Sequence, residues 1–131
     1  MPIAESLDVL TEEVKSGHIR VIGCSNLSGQ QLQEALDASA AHGYTRIEVV
    51  QPLYSLAAPE AEDNLFPLCR KEQIAVTTYS PLAAGFLTGK YTPDRSSFPE
   101  GSRFHIILGH ADIYFLDRNF RLVEQLREEA D

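Results

Sequence analysis

The sequence predicts an α/β protein built on a parallel sheet, and two observations lead to this prediction. Short apolar runs of strand length alternate with segments of helical period along most of the chain. The segments between successive runs have the length of crossover helices, which join parallel strands in right-handed units. Two architectures fit this order, a doubly wound sheet and a piece of a (β/α)8 barrel. In both, functional residues belong at the carboxyl ends of the strands.

The first half of the chain predicts a helix, a strand, a second helix and a second strand. Apolar residues at helical spacing mark the first helix, which Gly17 ends: Ile3, Leu7, Leu10 and Val14. The run HIRVIGCSN is apolar with polar flanks and predicts a buried strand. Ser28 and Gln31 have the spacing of a capping box, which begins a helix that ends at Gly43. The second strand is predicted in RIEVVQPLY.

The second half continues the alternation and then changes character. Pro59 suits the first turn of a helix and predicts a third helix through Ala61, Leu65 and Leu68. The run IAVTTYS predicts the third strand. Residues 92–110 are rich in Pro, Gly, Ser and charge, so we expect them to be irregular. Apolar residues at helical spacing mark a last helix: Phe120, Val123, Leu126 and Ala130.

The composition argues against several classes of function. A net charge of −8 and a pI near 4.9 argue against nucleic-acid binding. Cys24 and Cys69 each lie in an apolar segment, which indicates reduced core residues of a cytoplasmic protein. The start MPIAESLDVL lacks a basic region followed by a long apolar run, and no stretch approaches the ~18 apolar residues of a membrane span. We therefore expect a cytoplasmic protein with no membrane partner.

The stretch TYSPLAAGFLTGKY ends in Gly89 and Lys90, which raises the question of a phosphate site. A P-loop needs a Gly, four further residues, then Gly-Lys and a Ser or Thr whose hydroxyl holds magnesium. Here only three residues separate Gly85 from Gly89, Ala84 stands at the first position, and Tyr91 replaces the hydroxyl residue. This spacing disfavours a P-loop and leaves two interpretations, a different phosphate site and a turn without a ligand.

Polar side chains follow all three predicted strands. Ser25 and Asn26 end the first, Gln51 ends the second and Tyr79 ends the third. None of them is a general acid, a general base or a nucleophile activated by a neighbour. Amide groups and one aromatic ring suit a flat heterocycle that carries a carboxamide, with Tyr79 as the stacking face. Two simpler interpretations stay open, that Ser25 and Asn26 cap the next helix and that Tyr79 belongs to the core.

Four segments, in this order and spacing, resemble the aldo/keto reductases: IRVIGCSNLSGQQL, VVQPLYSL, PLCRKEQIAV and TTYSPLAAGFLTGKY. The resemblance implies a (β/α)8 barrel that binds NADPH without a Rossmann domain and reduces carbonyls to alcohols. It implies that residues 1–131 are a single partial barrel domain with three βα units, a long loop and a final helix. A small-molecule carbonyl would be the substrate if the barrel were complete.

The resemblance also assigns the candidate cofactor residues. It implies that Ser25, Asn26 and Gln51 hydrogen-bond the nicotinamide carboxamide of NADP(H) and that Tyr79 stacks on the ring. It implies that the following loop lines the pyrophosphate through Ser80, Pro81, Leu82, Gly85, Leu87, Gly89 and Lys90. The resemblance therefore implies that the segment ending in Gly89 and Lys90 contacts a dinucleotide pyrophosphate and is neither a P-loop nor a turn without a ligand.

The chain departs from the family in what it does not contain. The catalytic Asp, Tyr, Lys and His of the family have no matching positions here, so no catalytic residue and no metal ligand is assigned. The basic segment that grips the adenosine 2′-phosphate is also missing. Ser55 stands where Asn is usual, and Pro59 replaces a commonly basic residue. The isolated chain is therefore expected to lack activity.

Three parallel strands leave unpaired backbone groups at both edges of their sheet. Parallel strands are normally covered on both faces, so we expect a homo-oligomer that forms through the open edges. This leaves an alternative function, a truncated nucleotide-binding or interaction module that acts through association. A remnant with intact motifs and no role of its own is the third interpretation.

Overall fold

The computed structural model describes residues 3–96 and 98–130. The described strands are β1 (Ile22–Ser25), β2 (Ile47–Gln51) and β3 (Ala75–Val76). The α-helices are α1 (Ile3–Lys15), α2 (Gly29–His42), α3 (Leu65–Glu72), α4 (Arg103–Ile106), α5 (Ala111–Tyr114) and α6 (Asp117–Ala130). Short 3-10 segments lie at Glu60–Glu62, Ala83–Thr88 and Leu108–His110.

The three strands form one parallel sheet in the order β1-β2-β3. The predicted α/β class with helical crossovers is confirmed. Strand β1 has an irregular register between Ile22 and Gly23, after which Gly23 pairs with Val49 and Ser25 with Gln51. A Cβ atom on Gly23 would lie 2.5 Å from Val49 Cγ1. Glycine is therefore needed at this position because the two backbones approach too closely for a side chain.

Local capping signals fix the ends of α2 as predicted. The Ser28 hydroxyl accepts a hydrogen bond from the Gln31 N–H, and the Gln31 side chain accepts one from the Ser28 N–H. This capping box satisfies two of the backbone donors that a helix start leaves without partners. At the other end Gly43 has a left-handed backbone (φ 68°), and its N–H donates to the Ser39 carbonyl.

The third helix begins later than predicted. Pro59 precedes the 3-10 segment Glu60–Glu62, and α3 starts only at Leu65. The backbone of Asn64 (φ −144°, ψ −30°) separates the two. From Leu65 onward the helix buries Leu65 and Cys69 in the core, and this burial decides where the regular turns begin.

The third strand is shorter than the predicted run IAVTTYS. Regular pairing is confined to Ala75 and Val76, which are partners of Val49 and Val50. Beyond it, the Tyr79 N–H still donates to the Pro52 carbonyl at 3.1 Å. Pro52 faces this strand and has no N–H to donate in return, so the ladder cannot continue regularly.

The chain divides into two compact units. The first comprises Met1–Leu53 and Glu60–Tyr79, and the second comprises Tyr54–Pro59 and Ser80–Asp131. The first unit holds the sheet and α1–α3, and its core draws on all of these elements: Leu7, Leu32, Ala35, Ile47, Val50, Leu65 and Cys69.

The second unit has an aromatic core. Phe86 lies 4.9 Å from Phe120 between ring centroids, and Tyr91 lies 4.5 Å from Phe104. Residues 92–110 belong to this unit and are more regular than expected. Ser102 caps α4 through the His105 N–H, and Phe104 is fully buried. The prediction of an irregular segment was therefore wrong for α4, because a buried aromatic ring anchors that turn.

Candidate functional site

The carboxyl ends of the strands in the first unit bring together the four polar side chains that the sequence places there. Ser25 ends β1 directly beside Gln51, which ends β2. Tyr79 pairs with Leu53 just beyond the regular part of β3. Because neighbouring parallel strands end at the same edge, residues distant in sequence share one rim.

Hydrogen bonds link these residues across the rim. The Ser25 hydroxyl donates to the Gln51 main-chain carbonyl at 2.8 Å. The Tyr79 hydroxyl donates to Asn26 Oδ1 at 2.8 Å. The Asn26 N–H donates to the Gln51 carbonyl at 3.4 Å. Asn26 therefore keeps its amide NH2 as a donor, and the Ser25 oxygen keeps its capacity to accept.

Asn26 has a left-handed backbone with φ 59°. A non-glycine residue in this region stores strain, although asparagine tolerates it better than most residues. Ser28, and neither Ser25 nor Asn26, is the N-cap of α2. The interpretation of Ser25 and Asn26 as helix caps was therefore wrong, and the strained backbone presents the Asn26 side chain to the rim.

A hollow of about 330 Å³ adjoins the Ser25 end of this rim, within the first unit. Ser25 and Gln51 line it together with other residues of β1 and β2 and one residue of the extension of β3: Gly23, Cys24, Val49, Val50 and Thr77. The sequence analysis did not name Thr77. The signal that could have identified it is the period-two alternation of a strand, which places Thr77 two positions before Tyr79.

Cys24 lies beside this rim, and its environment keeps it protonated. Burial raises the pKa of the Cys24 thiol above its ordinary value of 9.0, and the nearby Cys69 raises it further. Burial also raises the pKa of Cys69. Both cysteines are free thiols. A thiol protonated at neutral pH is a poor nucleophile, so Cys24 is not an activated nucleophile at this rim.

The loop after Tyr79 belongs to the second unit and has an unusual backbone. Four of its residues besides Gly89 have positive φ: Ser80, Ala83, Ala84 and Gly85. Several of its N–H groups bond within the loop. Ala83 donates to Ser80, Gly85 to Leu82 and Gly89 to Phe86. In this conformation those three N–H groups are engaged within the loop.

Lys90 gives this loop its cationic group. Its ammonium would lie 3.3 Å from a Cβ atom built on Gly85 and lies 5.3 Å from the centroid of the Tyr91 ring. Tyr91 itself is buried in the aromatic core, so the residue at the place of a P-loop hydroxyl is not available to a metal ion. Among the described residues no cluster of His, Cys, Asp and Glu could hold a metal ion, and no helix is long and apolar enough to cross a membrane.

Comparisons with known proteins agree with this geometry. The profile described as "Aldo/keto reductase family" matches residues 1–130. The chain is 39% identical over 102 residues to the NADH-specific methylglyoxal reductase of Escherichia coli (strain K12), an alignment that covers 78% of this chain and 29% of that protein. It is 36% identical over 133 residues to a probable voltage-gated potassium channel subunit beta of Arabidopsis thaliana, covering 99% and 40% of the two chains.

A solved structure has the same arrangement of strands and helices. The glycerol dehydrogenase of Gluconobacter oxydans matches with a TM-score of 0.68 at 27% identity, covering 94% of this chain and 34% of that one. The likeness confirms the predicted fold as part of a (β/α)8 barrel. In these three comparisons the chain spans between 29% and 40% of the length of its relative.

Proposed function

Because this chain belongs to the aldo/keto reductase family, we propose that it is the cofactor-binding part of an NADPH-dependent carbonyl reductase. When bound, NADPH supplies the hydride that turns a carbonyl into an alcohol. The observation that carries the proposal is the hydrogen bond from Tyr79 to Asn26 at the rim where Ser25 and Gln51 also lie. The role of this chain in the reaction is to hold and orient the cofactor.

The chemistry of the rim fits a nicotinamide carboxamide. A carboxamide needs one acceptor for its NH2 group and one donor for its oxygen. The Asn26 side chain still offers its NH2 as a donor because Tyr79 occupies its oxygen. The Gln51 side chain is exposed and offers both a donor and an acceptor. The half-buried Tyr79 ring supplies a flat surface for stacking.

The loop of the second unit is the proposed pyrophosphate site. Lys90 is exposed and carries a positive charge. We assign the pyrophosphate contacts to the loop as a set: Ser80, Pro81, Leu82, Gly85, Leu87, Gly89 and Lys90. Since three of its N–H groups bond within the loop, the Lys90 ammonium is the main source of attraction for a phosphate.

The isolated chain is proposed to bind cofactor without turning over substrate. At the rim the Tyr79 hydroxyl already donates to Asn26, and no carboxylate, His or Lys lies among Ser25, Asn26, Gln51 and Tyr79 to deliver a proton to a carbonyl oxygen. The missing groups would come from a segment outside this sequence, together with the pocket for a small-molecule carbonyl. The preference for NADPH over NADH is part of the proposal, and the Escherichia coli relative is named as NADH-specific.

A second candidate function is association through the sheet edges, with the chain acting as an interaction module in the cytoplasm. Among the described residues, β1 and β3 each pair on one side only. Val76 of β3 is 39% exposed, and Val21 before β1 is 60% exposed. Apolar side chains beside unpaired backbone groups favour a homo-oligomer. Size-exclusion chromatography with light scattering measures the mass of the chain in solution. A monomer at all concentrations would exclude association through the sheet edges.

The test of the first proposal is a fluorescence titration with NADPH and, in parallel, with NADH. Tyr79→Ala removes the ring and should weaken binding by about tenfold or more, since stacking on an aromatic ring contributes ~1–3 kcal/mol. Tyr79→Phe is the matched variant, because it keeps the ring and removes only the hydrogen bond to Asn26. We expect a smaller loss for it, about two- to fivefold.

Two outcomes would overturn the proposal, and a third would overturn only its cofactor preference. The first is a folded chain that shows no saturation at millimolar nucleotide. The second is equal binding by wild type and Tyr79→Ala. The third, tighter binding of NADH than of NADPH, overturns only the assigned cofactor preference and leaves the rim as the nicotinamide site.

A further inference from the structure

A cleft in the second unit lies outside the residues proposed for the nicotinamide. It measures about 510 Å³ and runs between α6 and the segment that follows Gly89. Tyr91, Pro93 and Phe120 give it a mainly apolar lining. Its size falls within the range of pockets that enclose small organic molecules.

Of the two arginines in the described lining of this cleft, Arg127 is paired with a carboxylate and Arg121 is not. Arg127 donates to Glu124 Oε1 at 2.7 Å and also to the Gly89 carbonyl. Arg121 lines the same cleft, and within the part of the chain that the structure describes no carboxylate pairs with it. The lining therefore carries one uncompensated positive charge, in a chain whose net charge is −8.

We propose that this cleft binds a small organic carboxylate with an aromatic or branched apolar body. The Arg121 guanidinium can form two parallel hydrogen bonds to a carboxylate, a geometry that a planar fork of donors favours. The apolar body lies against Phe120 and Pro93, where its burial adds to the affinity. Because Arg127 is already engaged with Glu124 and the Gly89 carbonyl, Arg121 is left as the one unpaired cation of the described lining, and a single positive charge matches a monoanion better than a doubly charged phosphate.

The assignment stands independently of the nicotinamide site. It uses neither Asn26 nor Tyr79, and its test requires no nucleotide. The cleft shares Gly89 with the loop proposed for the pyrophosphate, and the Gly89 carbonyl accepts from Arg127. NADPH is therefore included as a competitor, so that a nucleotide that occupies the cleft is recognised.

The experiment is an NMR titration of the ¹⁵N-labelled full chain with 3-phenylpropionate, with the uncharged 3-phenylpropionamide as the matched ligand. We expect saturable shifts at Tyr91, Phe120 and Arg121 with a dissociation constant of about 1 mM, and at least fivefold weaker binding of the amide. Arg121→Gln should weaken the binding of the carboxylate by about five- to tenfold. Arg118→Gln, on the same helix but outside the cleft, should leave the affinity unchanged.

A second variant tests the cavity without relying on charge. Gln125 lines the cleft and is exposed. Gln125→Trp should therefore fill the cleft, preserve the fold and abolish the binding of both ligands. Equal affinity for the carboxylate and the amide would overturn the proposal, as would equal losses in Arg121→Gln and Arg118→Gln. The proposal would also be overturned if no chemical shifts changed at a 3-phenylpropionate concentration tenfold above the expected dissociation constant of ~1 mM. Full competition by NADPH would reassign the cleft to the nucleotide.

Discussion

The Tyr79 hydroxyl and Asn26 Oδ1 are joined by a hydrogen bond of 2.8 Å across 53 positions of sequence. The bond connects the exit of the third strand to the exit of the first and passes over β2, which lies between them in the sheet. It holds an amide and an aromatic ring in fixed relative positions before any ligand arrives. Such preorganisation reduces the conformational entropy that binding would otherwise cost.

Substitutions at Asn26 should separate stability from binding. Asn26→Gly relieves the left-handed backbone and removes the amide, so the free energy of unfolding should stay within about 0.5 kcal/mol of wild type while NADPH binding weakens. Asn26→Ala keeps the strain and loses the same hydrogen bond, and it should destabilise the chain by about 1–2 kcal/mol. Urea unfolding and the fluorescence titration measure the two effects. Parallel losses of stability and binding in the Gly variant would contradict this separation.

Gly23→Ala should destabilise the sheet. The new methyl group would lie 2.5 Å from Val49 Cγ1 and 2.8 Å from the Val49 carbonyl oxygen, so β1 and β2 would have to separate. Overpacking of this kind costs ~1–3 kcal/mol. Gly109→Ala is the control, because a Cβ atom there meets nothing within 4 Å. Thermal unfolding measures Tm for both variants. An equal decrease in Tm would show that the close approach of β1 and β2 at Gly23 is not the cause of the destabilisation.

Asn119 should be a determinant of stability in the second unit. It is 2% exposed, and its amide NH2 donates to the carbonyls of Ala57 and Tyr114, each at 3.0 Å. Asn119→Ala leaves two buried acceptors without this donor and should cost ~1–3 kcal/mol. Asn119→Asp should cost more, because a carboxylate would face two carbonyl oxygens. Asn64→Ala, at an exposed position without a capping bond, should be nearly neutral in the same urea titration.

The Cys24 thiol should react slowly in the folded chain. Burial raises its pKa above 9.0, so the thiolate fraction at pH 7.5 is smaller than in the unfolded chain. Alkylation with iodoacetamide, followed by mass spectrometry, should be slower in native buffer than in urea and should still accelerate above pH 9. Faster alkylation of the native chain at pH 7.5 would contradict the raised pKa.

The same shift gives stability a pH dependence. Between the unfolded and folded pKa values the folded chain retains thiol protons that the unfolded chain releases. The contribution of the thiols is therefore complete below their ordinary pKa of 9.0 and is lost as the pH rises through the folded pKa. In Cys24→Ser the free energy of unfolding should therefore decrease less between pH 7.5 and pH 10 than in the wild type. Urea unfolding at the two pH values measures this difference.

Local signals in the sequence predicted the elements whose ends depend on a few neighbouring residues. The capping box of Ser28 and Gln31 and the left-handed Gly43 act within one turn, so both ends of α2 were visible in the sequence. Pro59 is an equally favourable local signal, yet α3 begins at Leu65. There the burial of Leu65 and Cys69 outweighed a local preference, and no window of sequence reveals what those side chains will contact.

The sequence alone determined the alternation of α1 to β3 and the final helix, the family and the types of side chain at the strand ends, but it did not predict α4 and α5. These follow from apolar periodicity and from residues at fixed spacing. Only the tertiary structure decided that Asn26 accepts from Tyr79 and that Ser25 bonds the Gln51 carbonyl. It also decided that Arg127 donates to the Gly89 carbonyl, 38 positions away in the sequence. The physical reason is that a hydrogen bond depends on tenths of an ångström between atoms far apart in sequence, whereas periodicity depends only on the chain itself.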